Sequence, residues 1–347
     1  MQIDPIPGAE PAPPAAPSRA ARRETTLSIV VPVFNEEPTI RVFVEGIKPA
    51  LAELRDLLGP DGRTEILFVD DGSKDGTVVE IGKIKLPGTT IRLVRLSRNF
   101  GKDAALAAGL SCARGDAVIP MDVDLQDPPG VLAGMVDAWL RGARVVNAVR
   151  ADRSSDTWLK RKTSAAFYGV FNRLSTTPIE SNAGDFRLLD REVVDIINAM
   201  PERVRFMKGI FSWVGYSPVD IPYSRAPRAV GETKWRMWVL WNFALDGITG
   251  TSTFPLRVWS YLGAGLAVIA LAYACFIILR TLVFGIDTPG YASLMVVTLI
   301  IGATILLALG IMGEYIGRIA IEVRQRPLFL IRDIVEVGGP AEPDRVP

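Results

Sequence analysis

Ala117-Val-Ile-Pro-Met-Asp-Val-Asp-Leu-Gln-Asp-Pro-Pro129 carries an apolar run straight into two carboxylates, Asp122 and Asp124, spaced i, i+2. Alternate side chains of an extended chain share a face, so both acids can point at one ligand, and Gln126 continues that face. A hard divalent cation such as Mg²⁺ takes oxygen ligands and needs only one or two protein carboxylates when substrate phosphates and water supply the rest. The stretch therefore reads as a metal–diphosphate site. A solvated acidic turn is the alternative on these residues alone.

The same grammar occurs three times upstream. Leu27-Ser-Ile-Val-Val-Pro-Val-Phe34 is a short apolar run that reads as a buried strand. Asn35-Glu36-Glu37-Pro38 follows as a helix start, with Asn35 able to cap and the acids suited to the positive end of the dipole. Thr64-Glu-Ile-Leu-Phe-Val-Asp70 runs into Asp71-Gly72-Ser73, and Ile91-Arg-Leu-Val-Arg-Leu96 into Ser97-Arg98-Asn99-Phe100-Gly101-Lys102 and an Ala-rich helix. Val145–Val149 is a fifth strand, with Arg150 and Arg153 behind it. Strands alternating with helices predict an α/β fold around a mostly parallel, doubly wound sheet. Ligands of such sheets bind at the carboxyl ends of the strands. Each of the first four ends is polar or charged: Asn35/Glu36, Asp70/Asp71, Arg98/Asn99/Lys102 and Asp122/Asp124.

The 347 residues suffice for two domains, and 49% hydrophobic content is high for an ordinary soluble enzyme. A net charge of +1 points to no nucleic acid. Without histidine, a general base must be a carboxylate or another group, and imidazole metal ligation is excluded. Cys112 and Cys275 fall in a polar domain and an apolar segment, so both read as small apolar fillers.

Residues 1–24 are Pro/Ala-rich and read as a disordered tail lacking a secretory h-region. Residues 25–232 hold the expected catalytic domain, assigned to the cytoplasm. Within it, 157–173 form a basic amphipathic pattern, Asp185 sits in Gly184-Asp-Phe-Arg187, and Arg225, Arg228 and Lys234 line a basic loop that ends just beyond it. Residues 233–256, with Trp235, Trp238 and Trp241, read as interfacial helices. Residues 257–317 hold two uncharged runs, Val258–Leu279 and Tyr291–Gly313, each long enough for the roughly 20 residues that cross a bilayer. Arg257, Arg318, Arg324 and Arg326 stand on one side of the pair, so the positive-inside rule puts both termini in the cytoplasm. Residues 318–347 form a C-terminal tail. Its part from Pro327 to Val337 alternates weakly, which suits an added strand or an assembly contact; a homo-oligomer, a tetramer included, is one expectation.

Six strings occur in order: Val31-Pro-Val-Phe-Asn-Glu-Glu37, Phe68-Val-Asp-Asp-Gly-Ser-Lys-Asp-Gly-Thr77, Arg98-Asn-Phe-Gly-Lys102, Met121 to Pro129, Gly184-Asp-Phe-Arg187 and Gly231-Glu-Thr-Lys234. Together they resemble the family 2 glycosyltransferases that load sugars onto polyprenyl phosphate at a bacterial inner (plasma) membrane, over about residues 27–320. The resemblance implies a GT-A (Rossmann-like) domain that binds a nucleotide-diphosphate sugar. It implies that Pro32, Asn35, Glu37, Asp70, Asp71, Lys102 and Asp122 face that donor, and that Asp124 and Gln126 hold Mg²⁺ or Mn²⁺. Asp185 falls where relatives carry a candidate base, so Asp122, Asp124 and Asp185 form the catalytic set. Arg150, Arg153, Arg187, Arg225, Arg228 and Lys234 fall where phosphates of donor or lipid are held. Asp127 departs from the pattern, because relatives commonly carry His or Asn there.

The implied reaction is one in-line displacement that inverts the anomeric carbon. UDP-glucose is the first expectation; GDP-mannose, UDP-GlcNAc, galactose and modified arabinose remain alternatives. A phosphate monoester acceptor is already largely dianionic, with its second pKa near about 6. Asp185 is therefore read either as a base or as a positioning group. A processive polysaccharide synthase would use more spans and a Gln-x-x-Arg-Trp string, which this chain lacks. A non-catalytic membrane scaffold fits poorly with intact Asp122, Asp124 and Gln126.

Overall fold

The computed structural model describes residues 26–151, 183–202, 205, 207–224, 254–284 and 290–337. The N-terminal tail, the basic stretch 157–173, Arg153, the loop Arg225–Lys234 and the three tryptophans after it lie outside the described residues.

The first half alternates as expected: β1 (Thr26–Val33), α1 (Glu37–Leu58), β2 (Arg63–Asp70), α2 (Thr77–Gly82), β3 (Thr89–Leu96), α3 (Lys102–Cys112), β4 (Ala117–Pro120), α4 (Leu132–Leu140) and β5 (Val145–Arg150). The rest comprises β6 (Ala183–Asp190), α5 (Arg191–Ala199), α6 (Met207–Trp213), β7 (Val219–Tyr223), α7 (Phe254–Phe284), α8 (Tyr291–Arg324) and β8 (Ile331–Glu336). The sheet order is β7-β5-β6-β4-β1-β2-β3-β8. The four central strands are mutually parallel, and β5 is parallel to β7. β6 runs antiparallel to both of its neighbours, and β8 runs antiparallel to β3. The sheet is thus mostly parallel, with antiparallel joints toward its edges.

The central strands read as continuous apolar runs because helices cover both faces. One layer packs α1 and α4 on Ile29, Val31, Ile66 and Phe68; the other sets α3 and α5 on Val30, Leu67, Val69 and Val118. α1 buries Ile40, Phe43, Val44, Ile47, Leu51 and Leu54, a stripe at helical spacing. α3 is Ala-rich because it lies close on the sheet: a Cβ on Gly109 would come within 2.2 Å of Val30. Near the amino-terminal edge of the sheet, Glu65 accepts from Ser28, from Arg92 at 3.2 Å and from the Arg114 backbone at 2.8 Å. Those bonds satisfy a buried charge on the edge opposite the cleft described below.

Two local expectations change. Asn35 does not cap α1: it has φ 53°, and Glu36 takes the cap position without a side-chain cap bond. The Asn35 carboxamide is committed elsewhere, accepting from the Lys74 backbone at 2.8 Å. β4 stops at Pro120, Asp122 follows it without strand pairing and Asp124 lies on a turn, so the two acids do not share one continuous strand.

Both long apolar runs are helical, as α7 and α8. Among the described residues one stretch, Ile300–Arg324, is long and apolar enough to cross a membrane. The weakly alternating tail forms β8, where Arg95 pairs with Asp333 at 3.2 Å and Ser97 N–H donates to Leu330 O at 2.9 Å.

Candidate active site

The chain builds β1, β2 and β3 in one direction across the sheet, then returns to place β4 on the other side of β1. At such a switch point the connections leave β1 and β4 on opposite faces, and a crevice opens beyond their carboxyl ends. Pro32 of β1 and Pro120 of β4 border that crevice here, together with Lys102, Met121, Asp122, Asp127, Asp185 and Phe186.

Lys102, the first residue of α3, is the hub. Its ammonium lies 2.7 Å from Asp122 and 3.3 Å from Asp185, which brings β4, α3 and β6 to one point. The side chain is 44% exposed, so the charge sits at the rim of the cleft. Burial works to lower the ammonium's pKa, but the charges of Asp122 and Asp185 outweigh it and the net shift is upward. Three of the residues singled out from the sequence therefore form one ion-paired cluster.

Asp124 is turned to its own loop, where Oδ1 accepts from Gln126 N–H at 3.1 Å. Leu125 between them has φ 55°, a left-handed conformation that reverses the chain. Asp124 and Gln126 are half-buried beside Asp122 and offer oxygen donors only. That set fits a hard cation that draws its remaining ligands from a diphosphate and water.

The other acids at strand ends brace the loops around the cleft. Asp70 accepts from Ser73 N–H at 3.0 Å, Glu37 from Gly76 N–H at 2.9 Å, and Asn35 N–H donates to Ser73 Oγ at 2.9 Å. Asp71 accepts from Phe100 N–H at 2.7 Å and Gly101 N–H at 2.9 Å, one bond on each oxygen. Burial pushes its carboxyl above the usual range, only partly offset by these two bonds. Gly72 permits the close approach: its φ is 75°, and a Cβ there would lie 2.8 Å from the Arg98 carbonyl carbon. Asp71 thus locks the loop that delivers Lys102. Asp71→Asn is expected to lower unfolding free energy by about 1–3 kcal/mol, since an amide NH₂ would face a buried N–H. Urea titration of wild type and variant checks this.

Arg187, expected among the phosphate ligands, turns inward. It is 5% exposed, donates to Gly184 O at 2.7 Å and stacks on Phe211 with 4.3 Å to the ring centre. Arg150 ends β5 in register with Tyr223 of β7, and its positive charge acts to lower the phenol's pKa. Arg153, Arg225, Arg228 and Lys234 fall outside the described residues.

The sequence reading missed Tyr223. Its hydroxyl donates to Asp127 Oδ1 at 2.7 Å, a contact between residues 96 apart in the chain. Burial, then the Asp127 charge, pushes the phenol up to about 12, so it stays a donor at neutral pH. The only signal for it in the sequence is the odd Asp127 itself.

Residues 28–197 match glycosyl transferase family 2. A bactoprenol glucosyl transferase of Shigella phage SfII is 49% identical over 306 residues, which cover 88% of this chain and 97% of that protein. A prophage bactoprenol glucosyl transferase homolog of Escherichia coli K12 is 46% identical over 308 residues, 89% of this chain and 99% of the other. Among solved structures, glucosyl-3-phosphoglycerate synthase from Mycobacterium tuberculosis, in complex with Mn²⁺, UDP-glucose and phosphoglyceric acid, is similar at 20% identity and a TM-score of 0.38. The match covers 65% of this chain and 78% of that one. With nearly half of its residues identical to those relatives along almost their whole length, and with an acid-lined cleft at its switch point, the chain belongs to glycosyl transferase family 2.

Proposed function

We propose that this protein transfers glucose from UDP-glucose to a polyprenyl phosphate at the cytoplasmic face of a membrane, with inversion at the anomeric carbon. The observation that carries the reading is the Asp122–Lys102–Asp185 cluster at the β1/β4 crevice, in a chain that aligns with a bactoprenol glucosyl transferase over 88% of its length.

The residues divide the work by charge. A divalent cation, Mn²⁺ or Mg²⁺, held by Asp124 and Gln126 would neutralise charge that develops on the departing nucleoside diphosphate. Lys102 keeps Asp122 and Asp185 close together without leaving two bare carboxylates in the path of an anionic donor. Asp122 borders the crevice on the β4 side and Asp185 on the β6 side, so a sugar lying over the ion-paired cluster meets an oxygen acceptor from each. The acceptor phosphate arrives as an anion and needs little deprotonation. Asp185, held in an ion pair, suits a positioning role better than that of an obligatory base. Two spans, α7 and α8, would keep the domain at the bilayer where the lipid phosphate is presented, with the basic loop Arg225–Lys234 as its receiver.

The test is a transfer assay with the full chain, polyprenyl phosphate, Mn²⁺ or Mg²⁺ and a panel of labelled nucleotide sugars. Label from UDP-glucose is expected in the organic phase. Transfer from another donor alone would correct the sugar, and transfer from none would overturn the reading.

A further inference from the structure

Tyr223 ends β7, on the far side of β5 and β6 from the crevice, yet it reaches both acidic segments of the site. Its hydroxyl bonds Asp127, three residues beyond Asp124 on the carboxylate turn. Its ring meets Phe186, the neighbour of Asp185, edge-on at 6.1 Å and 87°. Asp127 and Phe186 both border the crevice, while Tyr223 is 6% exposed behind them. The phenol is thus a buried brace whose two ends touch the two walls that carry Asp122 and Asp185.

The turn needs such a brace. The last bond to the neighbouring strand is Met121 N–H to Val30 O at 2.9 Å; the turn that follows departs from the sheet, and Leu125 on it already occupies a left-handed conformation. A carboxylate at 127 gives the buried hydroxyl a charged acceptor, the stronger kind of hydrogen bond. A histidine at 127 would alter the reach and bulk of the acceptor and break the match to Tyr223.

We propose that Tyr223 is a positioning residue for glycosyl transfer, holding the Asp122–Asp124 turn through Asp127 and the Asp185 wall through Phe186. Asp127, on this account, acts as the acceptor for Tyr223 and not as a metal ligand. The inference rests on the crevice being the sugar-transfer site proposed above.

The experiment uses the full chain and two readouts: Mn²⁺-dependent UDP binding by calorimetry, which needs no acceptor, and glucose transfer from UDP-glucose to polyprenyl phosphate. Tyr223→Phe keeps the ring and removes only the hydroxyl. It is expected to weaken Mn²⁺·UDP binding or lower kcat/KM by about 10- to 100-fold, with thermal midpoint little changed. Asp127→Ala should match it, and the double variant should be no worse than either single, because both remove one bond. Asp127→Asn, whose amide oxygen still accepts from the phenol, should recover most of the loss. Independent losses that multiply in the double variant, an Asp127→Asn as poor as Asp127→Ala, or an unaffected Tyr223→Phe would each overturn the proposal. Should wild type bind Mn²⁺·UDP but transfer no glucose, the acceptor reading fails alone, and the binding series still decides the role of Tyr223.

Discussion

Asp124→Asn is expected to lower kcat by at least about 100-fold while the protein folds and inserts as before. The substitution is nearly isosteric, and the asparagine Oδ1 can still accept from Gln126 N–H, the bond that shapes the turn. What disappears is the negative charge and the second carboxylate oxygen. With Gln126 neutral, Asp124 supplies the only formal charge among the two residues assigned to the metal, so its loss falls on cation affinity first. Metal binding to the native state raises stability by mass action, about 2.7 kcal/mol at a hundredfold excess over Kd. The Mn²⁺-dependent rise in thermal midpoint seen with UDP present should therefore shrink together with kcat. A variant with full turnover and an unchanged Mn²⁺ response would remove Asp124 from the metal site.

Lys102→Met should reduce kcat/KM by about 100-fold, for a different reason. Removing the ammonium leaves Asp122 and Asp185 facing one crevice with no cation between them, and an anionic diphosphate must then approach two bare acids. Lys102→Arg keeps the charge but replaces a compact ammonium with a wider planar fork, so partial recovery is expected. The pH dependence of stability follows from the upward shift of the lysine. A raised folded-state pKa contributes stability that is fully present below the unfolded value, about 10.4, and is lost as pH rises through the folded one. The stability gap between wild type and Lys102→Met should therefore hold steady from about pH 6 to about pH 9 and narrow only above about pH 10.4. Urea titrations across that range, paired with kinetics, check both parts.

The central sheet was legible because β1 to β4 are buried on both faces, and burial of that kind leaves unbroken apolar runs followed by polar ends. Topology then did the rest, since parallel strands bring those ends to one edge. β6 was not legible as a strand: Ala-Gly-Asp-Phe-Arg-Leu-Leu-Asp mixes a glycine, two acids and an arginine, and its pairing with β4 and β5 is set by partners far away in sequence. Asn35 looked like a cap because capping is a local rule, whereas its carboxamide bonds a backbone N–H 39 residues on. Arg187 looked like a phosphate ligand because a motif names a position and not a direction; its guanidinium prefers the Phe211 ring. The same limit hid Tyr223. A hydroxyl that matters through a contact 96 residues away has no pattern to announce it.

β8 follows α8 after residues 325–330, a segment that spans at most about 20 Å when fully extended. β8 is laced along β3, the strand that leads to Arg98–Lys102. With the apolar part of α8 in a bilayer, helix residues 314–324 and that short leash would set a limit to how far the sheet edge stands from the lipid surface. Such a tether bounds the reach of the crevice by chain length, with no side chain devoted to it.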